Sequence, residues 1–304
     1  MIRERSFGPN GENTWFIIDA ETTDLANVMV DDFRLDTEAI TYALDKNERA
    51  HIDYDAENQR LLVVYNVLNL NKDDNHYETI PITFIATSDS LITIINEENR
   101  YVIDLVSQHL ERHGKPSIYQ LLFVALTLIS NRYFPVMDEI DLEKNQLNNK
   151  LRKTTTKENL LALSDLETGS VYLLAAANQN VLLLEQLKAH PRFQDLDSRE
   201  LEQLDDALIE ARQLASMSQL YSQILQQLSS AFNNVLNNNL NDNLTTLTIV
   251  SIVLAVIAVV TGFFGMNIPL PFSDSEVAWI VILLGSLFYC ILGVIGIKNW
   301  IKRK

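Results

Sequence analysis

Two hydrophobic periods run along this chain, and they change places at Ser117. Before it, apolar residues come in short runs bounded by turn residues. "TWFIIDA" alternates loosely. "RAHIDYDAENQRLLVVYNVLNL" reads as two strands around a turn at Ala56, Glu57 and Asn58, and "IPITFIATSDSLITIIN" as a second hairpin around Ser88, Asp89 and Ser90. A helix is predicted from Tyr101, ended by Gly114, Lys115 and Pro116. From Ser117 the period becomes helical. One amphipathic stretch runs to about Lys153, with Pro135 as a predicted kink. A second runs from Lys157 to about His190, with Gly169 inside it. Residues 192–261 then contain no Gly and no Pro, 70 residues in all, or about 105 Å as a single helix. The predicted fold class is an α+β domain, a small sheet with flanking helices, followed by long stalk helices.

The long helix carries a heptad-like seam at Leu214, Met217, Tyr221, Ile224, Leu228, Ala231 and Val235, with steps of three and four that match coiled-coil spacing. A helix of this length needs partners. The two preceding helices supply some, and further copies of the chain supply the rest.

The last 62 residues follow a different rule. No charged residue lies between Asp242 and Asp274, a gap of 31, or between Glu276 and Lys298, a gap of 21. A bilayer core about 30 Å thick needs roughly 20 apolar helical residues, and residues 244–264 and 277–297 both meet that length. Two buried core helices are the alternative, but each would need enclosing on all sides. The loop between the runs has no Lys or Arg and carries Asp274 and Glu276. The tail carries Lys298, Lys302, Arg303 and Lys304. The positive-inside rule places that tail in the cytoplasm, and two spans place the N-terminal bulk there too. The expected location is the plasma membrane. The domains expected are an α/β domain at residues 1–115, a helical stalk at 116–243, a first span at 244–264, an outer loop at 265–276, a second span at 277–297 and a basic tail at 298–304.

Charge sharpens this picture. The chain has 40 acidic and 24 basic residues, and residues 1–243 alone carry a net charge of −18. Such a field repels nucleic acid and anionic lipid and attracts cations. The single Cys290 lies in the second apolar run and is read as packing, which leaves no disulfide framework and no Cys-based metal site.

The first span has a distinct face. Asn241, Thr245, Thr248, Ser251, Ala255, Ala258 and Gly262 succeed one another by three or four. Downward from Asn241 the stripe continues through Asn238 or Asn237, Asn234, Ser230, Gln227 and Gln223. Close helix packing accounts for Ala and Gly but not for a row of amides below the bilayer. A water-lined axis accounts for both. One chain with two spans cannot enclose a channel, so the axis requires a closed ring of copies with the first spans inside. The second span, with Trp279 and Trp300 near its ends like an aromatic belt, would then face lipid.

The apolar run ends at Gly265-Met266-Asn267. Here the chain resembles the CorA family of magnesium channels, whose signature is Gly-Met-Asn at the end of the first of two C-terminal spans, then a short acidic loop, a second span and a basic end. The resemblance covers essentially the whole chain. It implies a homopentamer with a funnel-shaped cytoplasmic part, and a filter at the outer mouth formed by Gly265, Met266 and Asn267. It carries a second pore Asn onto Asn241 and a hydrophobic gate onto Leu244 and Leu247, since bulky apolar rings block ions by dewetting. It carries an acidic regulatory position onto Asp206, with Asp205 as the neighbouring choice. The chain departs from the family pattern at Phe264, where Tyr is usual, and at Ala255 and Ala258, where Met and Thr are common.

Carboxamides suit this task. Mg2+ dehydrates reluctantly, and a filter must admit the ion without trapping it. An Asn carbonyl accepts hydrogen bonds from the ion's own water. Asp274 and Glu276 would concentrate cations nearby. Asn and Gly also favour left-handed helix ends, so Gly265 is expected to turn the chain while Asn267 faces the ion. The chain has no phosphate loop of the Gly-rich Lys-Ser/Thr type, so the ion gradient and voltage must drive transport. At 100 mV a divalent ion gains about 4.6 kcal/mol.

Mg2+ is thus the expected cargo and regulatory ligand, with no organic cofactor and no enzymatic constellation. Co2+, Ni2+ or Zn2+ as cargo, or a non-transporting membrane-anchored sensor, are the alternatives. His109 and His113 stand one turn apart without a third ligand in view and read as a solvated helix face. "IDYDAEN" lacks the spacing of a calcium loop.

Overall fold

The computed structural model describes residues 2–21, 33, 37–266 and 277–301. The chain divides into two units, Met1–Ser230 and Ala231–Lys304.

The first unit opens with a six-stranded sheet. Its strands are β1 (Ile2–Phe7), β2 (Asn13–Asp19), β3 (His51–Asp55), β4 (Arg60–Leu68), β5 (Thr79–Ala86) and β6 (Ser90–Ile95), in the spatial order β1-β2-β6-β5-β4-β3. The β3–β4 and β5–β6 hairpins form where the sequence places them. The first turn is held by Asp55, which accepts from the amides of Glu57 and Asn58 and from the Asn58 side chain at 2.6 Å. These bonds hold its pKa below the usual carboxylate value. β2 pairs with β6 in parallel, and β1 closes the edge antiparallel to β2.

Strand β4 is buried along nearly its whole length, which requires cover on both faces. Leu62 and Val64 point to one face and join Ile18, Ile85, Ile92 and Ile94 around Ile40 of helix α1 (Thr37–Leu44). Tyr65 points to the other face. Its hydroxyl meets Ser130 Oγ on helix α3 (Ile118–Lys153) at 3.2 Å. Helix α2 (Tyr101–His113) precedes α3 and ends at Gly114, whose φ of +95° only glycine adopts readily. Helix α4 (Lys157–Ala189) packs beside α3 and against β3 and β4. The domain is therefore three-layered.

Strand β3 pairs with β4 only as far as His51 opposite Val64, so the backbone of Asn66 extends past the end of β3. Asn180 of α4 supplies its bonds there. Its Oδ1 accepts from Asn66 N at 3.0 Å and its Nδ2 donates to Asn66 O at 2.8 Å. Tyr133 of α3 donates to the same carbonyl at 3.1 Å. One backbone residue thus ties the sheet to two long helices.

Helix α3 runs through Pro135 as a single element, as the one amphipathic stretch predicts. The long helix α5 (Ser198–Phe264) starts later than the Gly- and Pro-free run suggests. Pro191–Asp195 form a 3-10 turn, and Asp197 Oδ1 accepts from the amides of Arg199 and Glu200. Glu200 reaches back to Asp197 N at 3.1 Å, completing a capping box. Within the first unit α5 buries Leu204, Ala207, Leu208, Ala211, Leu214, Ser218 and Leu225. The predicted seam shares Leu214 with this face but is displaced by one residue beyond it, from Ser218 to Met217 and from Leu225 to Ile224. Ser218 is polar in sequence, yet its hydroxyl is buried against Met137 Sδ.

The second unit holds the rest of α5 and helix α6 (Ala278–Ile301). Both are long and apolar enough to cross a membrane by length and composition. Helix α4 also meets that criterion, but much of its apolar surface is buried within the first unit, at Leu163, Leu166, Leu173, Leu183 and Leu184 among others. In the second unit apolar side chains stand uncovered: Leu247 is 63% exposed, Val259 71% and Tyr289 75%. Apolar surface on this scale calls for lipid or further protein. Cys290 is buried, as its reading as a packing residue requires.

Candidate ion pathway

Asn241, Leu244, Thr245, Leu247, Thr248, Ser251, Ala255, Ala258 and Gly262 all lie on α5 within the second unit. Thr245 is partly buried and the others are exposed in the single chain. From Asn241 to Gly262 the helix rises about 31 Å, which matches the hydrocarbon thickness of a bilayer. The hydroxyls of Thr248 and Ser251 donate to the carbonyls of Leu244 and Leu247 one turn back, at 2.8 and 2.9 Å. Thr261 does the same toward Ile257 at 3.0 Å. The hydroxyl protons of Thr248, Ser251 and Thr261 are thus satisfied within the helix, which spares them an unmet donor in an apolar surrounding. The oxygen lone pairs remain available as acceptors.

The helix ends at Phe264. Gly265 N still bonds Thr261 O at 2.9 Å, and Met266 N reaches Phe263 O at 3.4 Å. Gly265 does not adopt the expected left-handed conformation, since among the described residues the glycines of positive φ are Gly8, Gly11 and Gly114. A Cβ at 265 would stand 3.2 Å from Thr261 O. Asn267, Asp274 and Glu276 lie outside the described residues.

On the cytoplasmic side of the sequence reading, Asp206 is exposed on α5 and makes no hydrogen bond or ion pair among the described residues. The alternative, Asp205, is committed to Lys188 Nζ at 2.5 Å. No group of three or more His, Cys, Asp or Glu side chains able to hold a metal ion exists among the described residues. A single chain therefore offers no ready-made cation cage there.

A family model described as CorA-like Mg2+ transporter protein matches residues 10–303. The chain belongs to the CorA-like Mg2+ transporter family. The fold agrees: it is similar to the complete structure of the CorA magnesium transporter from Methanocaldococcus jannaschii, with 20% identity, a TM-score of 0.76 and coverage of 93% of this chain and 89% of that one. The full-length CmaX protein is similar at 17% identity, with a TM-score of 0.68 and coverage of 96% and 88%. The cytoplasmic domain of ZntB from Vibrio parahaemolyticus RIMD 2210633 is similar at 12% identity, with a TM-score of 0.59 and coverage of 76% and 88%. A comparison with curated protein sequences gives no match. Membership in the CorA-like family makes the chain a membrane-embedded divalent-cation transporter. At these identities the structural neighbours speak to the fold alone, and proteins titled CorA, CmaX and ZntB share it.

Proposed function

We propose that the chain mediates passive influx of hydrated Mg2+, driven by the membrane potential, through an axis formed where the first spans of identical subunits meet. The observation that carries this reading is the Asn241–Gly262 stripe. Small and weakly polar residues occupy one line of an otherwise apolar span, and the hydroxyls of Thr248 and Ser251 present acceptors rather than donors. A hydrated cation offers water hydrogens outward, so acceptors complement it. Leu244 and Leu247 form the hydrophobic constriction. Gly265, Met266 and Asn267 form the outer filter, with Asp274 and Glu276 drawing cations toward it. The assembly is a homopentamer in lipid with both termini in the cytoplasm, and it performs no catalysis and uses no organic cofactor.

Cytoplasmic Mg2+ closes the pathway by bridging Asp206 of one subunit to a neighbour. An exposed carboxylate without a partner supports this better than Asp205, whose charge is already answered by Lys188.

Uptake of Mg2+ and Co2+ into liposomes tests the reading, with Asn267→Ala beside the wild type. The substitution is expected to reduce Mg2+ uptake at least tenfold. Equal uptake by both proteins would remove Asn267 from the filter, and Co2+ uptake without Mg2+ uptake would reassign the cargo.

A further inference from the structure

A basic cleft opens in the first unit, where the end of α2, the linker before α3 and the first turns of α3 and α5 meet. Its volume is about 320 Å³, at the lower end of the range for small-ligand sites. His109, His113, Lys115, Gln120, Arg199 and Gln203 supply its polar lining, and no Asp or Glu lines it among the described residues. This occurs in a chain of net charge −16.

The chemistry of the lining is specific. The two imidazoles stack with ring centroids 4.3 Å apart and planes 20° from parallel. Burial and the neighbouring His113 hold the His109 pKa below its usual value, and an anion between the lining groups would oppose the second of these causes. The Arg199 side chain makes no hydrogen bond or ion pair among the described residues. Lys115 Nζ donates to Pro9 O at 2.7 Å, which fixes its charge at the rim and leaves two N–H groups for another acceptor. Gln203 Oε1 is buried and meets no donor. The carboxylates flanking these residues in sequence are engaged elsewhere: Glu111 with Arg5 at 3.2 Å, and Glu200 with Ser117 and Asp197.

We propose that this cleft binds hydrogen phosphate from solution. The Arg199 guanidinium can take two phosphate oxygens in a fork, Lys115 and the imidazoles can take the others, and the P–O–H group can donate to Gln203 Oε1. The fixed charges of Lys115 and Arg199 oppose a bare divalent cation at the same place. The ligand would join α2, the linker and α5, so it stabilises the first unit.

The test is calorimetric titration of the purified full chain, in phospholipid-free detergent with a chelator, using sodium phosphate at constant ionic strength. Saturable binding is expected, weakened at least tenfold in Arg199→Gln with the phosphate-free melting temperature unchanged. If Arg199→Gln melts lower, Lys115→Gln serves in its place with the same expected loss. Titration with sodium sulfate, which has no O–H donor, should give binding at least several-fold weaker. The proposal is overturned by absence of saturable binding, by undiminished binding in the variants, by sulfate matching phosphate, or by binding seen only to phosphatidate in lipid nanodiscs. No ion flux enters the measurement, so its outcome is separate from that of the transport reading.

Discussion

Glu200 accepts the hydroxyl of Ser117 at 2.5 Å. Ser117 caps α3 by accepting from Gln120 N at 3.1 Å, while Glu200 completes the capping box of α5. One carboxylate therefore serves the starts of two long helices. Glu200→Ala is expected to cost about 1–2 kcal/mol of stability. In a double-mutant cycle with Ser117→Ala, the coupling should be positive and of order 1 kcal/mol. Strictly additive losses in denaturant melts of the full chain would show that the two caps act independently.

Asn180 supplies the Asn66 backbone with bonds beyond the end of β3, whose last pair is His51 with Val64. Asn180→Leu keeps the approximate volume but orphans the buried Asn66 N–H, while the Asn66 carbonyl retains Tyr133. The expected loss is about 1–3 kcal/mol, read as a lower melting temperature.

Asp206 should report cytoplasmic Mg2+. In wild type, added Mg2+ is expected to slow proteolysis within α5, and Asp206→Lys should abolish most of that protection. The same substitution at Asp205 should chiefly lose the Lys188 pair, an exposed contact worth about 0–1 kcal/mol. Equal protection in wild type and Asp206→Lys would detach Asp206 from the closing mechanism.

Leu247→Asn should raise resting flux. Replacing a bulky apolar side chain by an amide favours water at the constriction, so uptake into liposomes at saturating internal Mg2+ is expected to rise several-fold. Unchanged resting uptake with normal protein yield would place the barrier elsewhere.

How much of this was legible in the chain depends on how local each cause is. The β3–β4 hairpin announces itself because the alternation before Asp55, the turn it holds and the apolar run after it act within a dozen residues. Strand β1 gives no such signal: "IRERSF" is charged and half exposed, as an edge strand can be. The parallel pairing of β2 with β6 joins residues some 75 positions apart, and no periodicity encodes that choice. On α5 the start was readable in the Asp197–Glu200 capping box but hidden by continuous helical pattern. The seam slipped by one residue because buried Ser218 looks polar. The stripe from Asn241 to Gly262 stood out because a membrane span has few polar residues to confuse it. The basic cleft was opaque, since Arg199 lies about 90 positions from His109 and only the fold brings them together.

The inward-turned hydroxyl protons of Thr248 and Ser251 bear on the sign of charge this surface tolerates. A chloride ion or a carboxylate seeks hydrogens and would find the Thr and Ser protons already taken. A metal wrapped in water seeks oxygen and finds it bare. On the proposed pathway, discrimination against anions at this depth would draw on these two alcohols, whose orientation the helix itself dictates, without an ionised side chain.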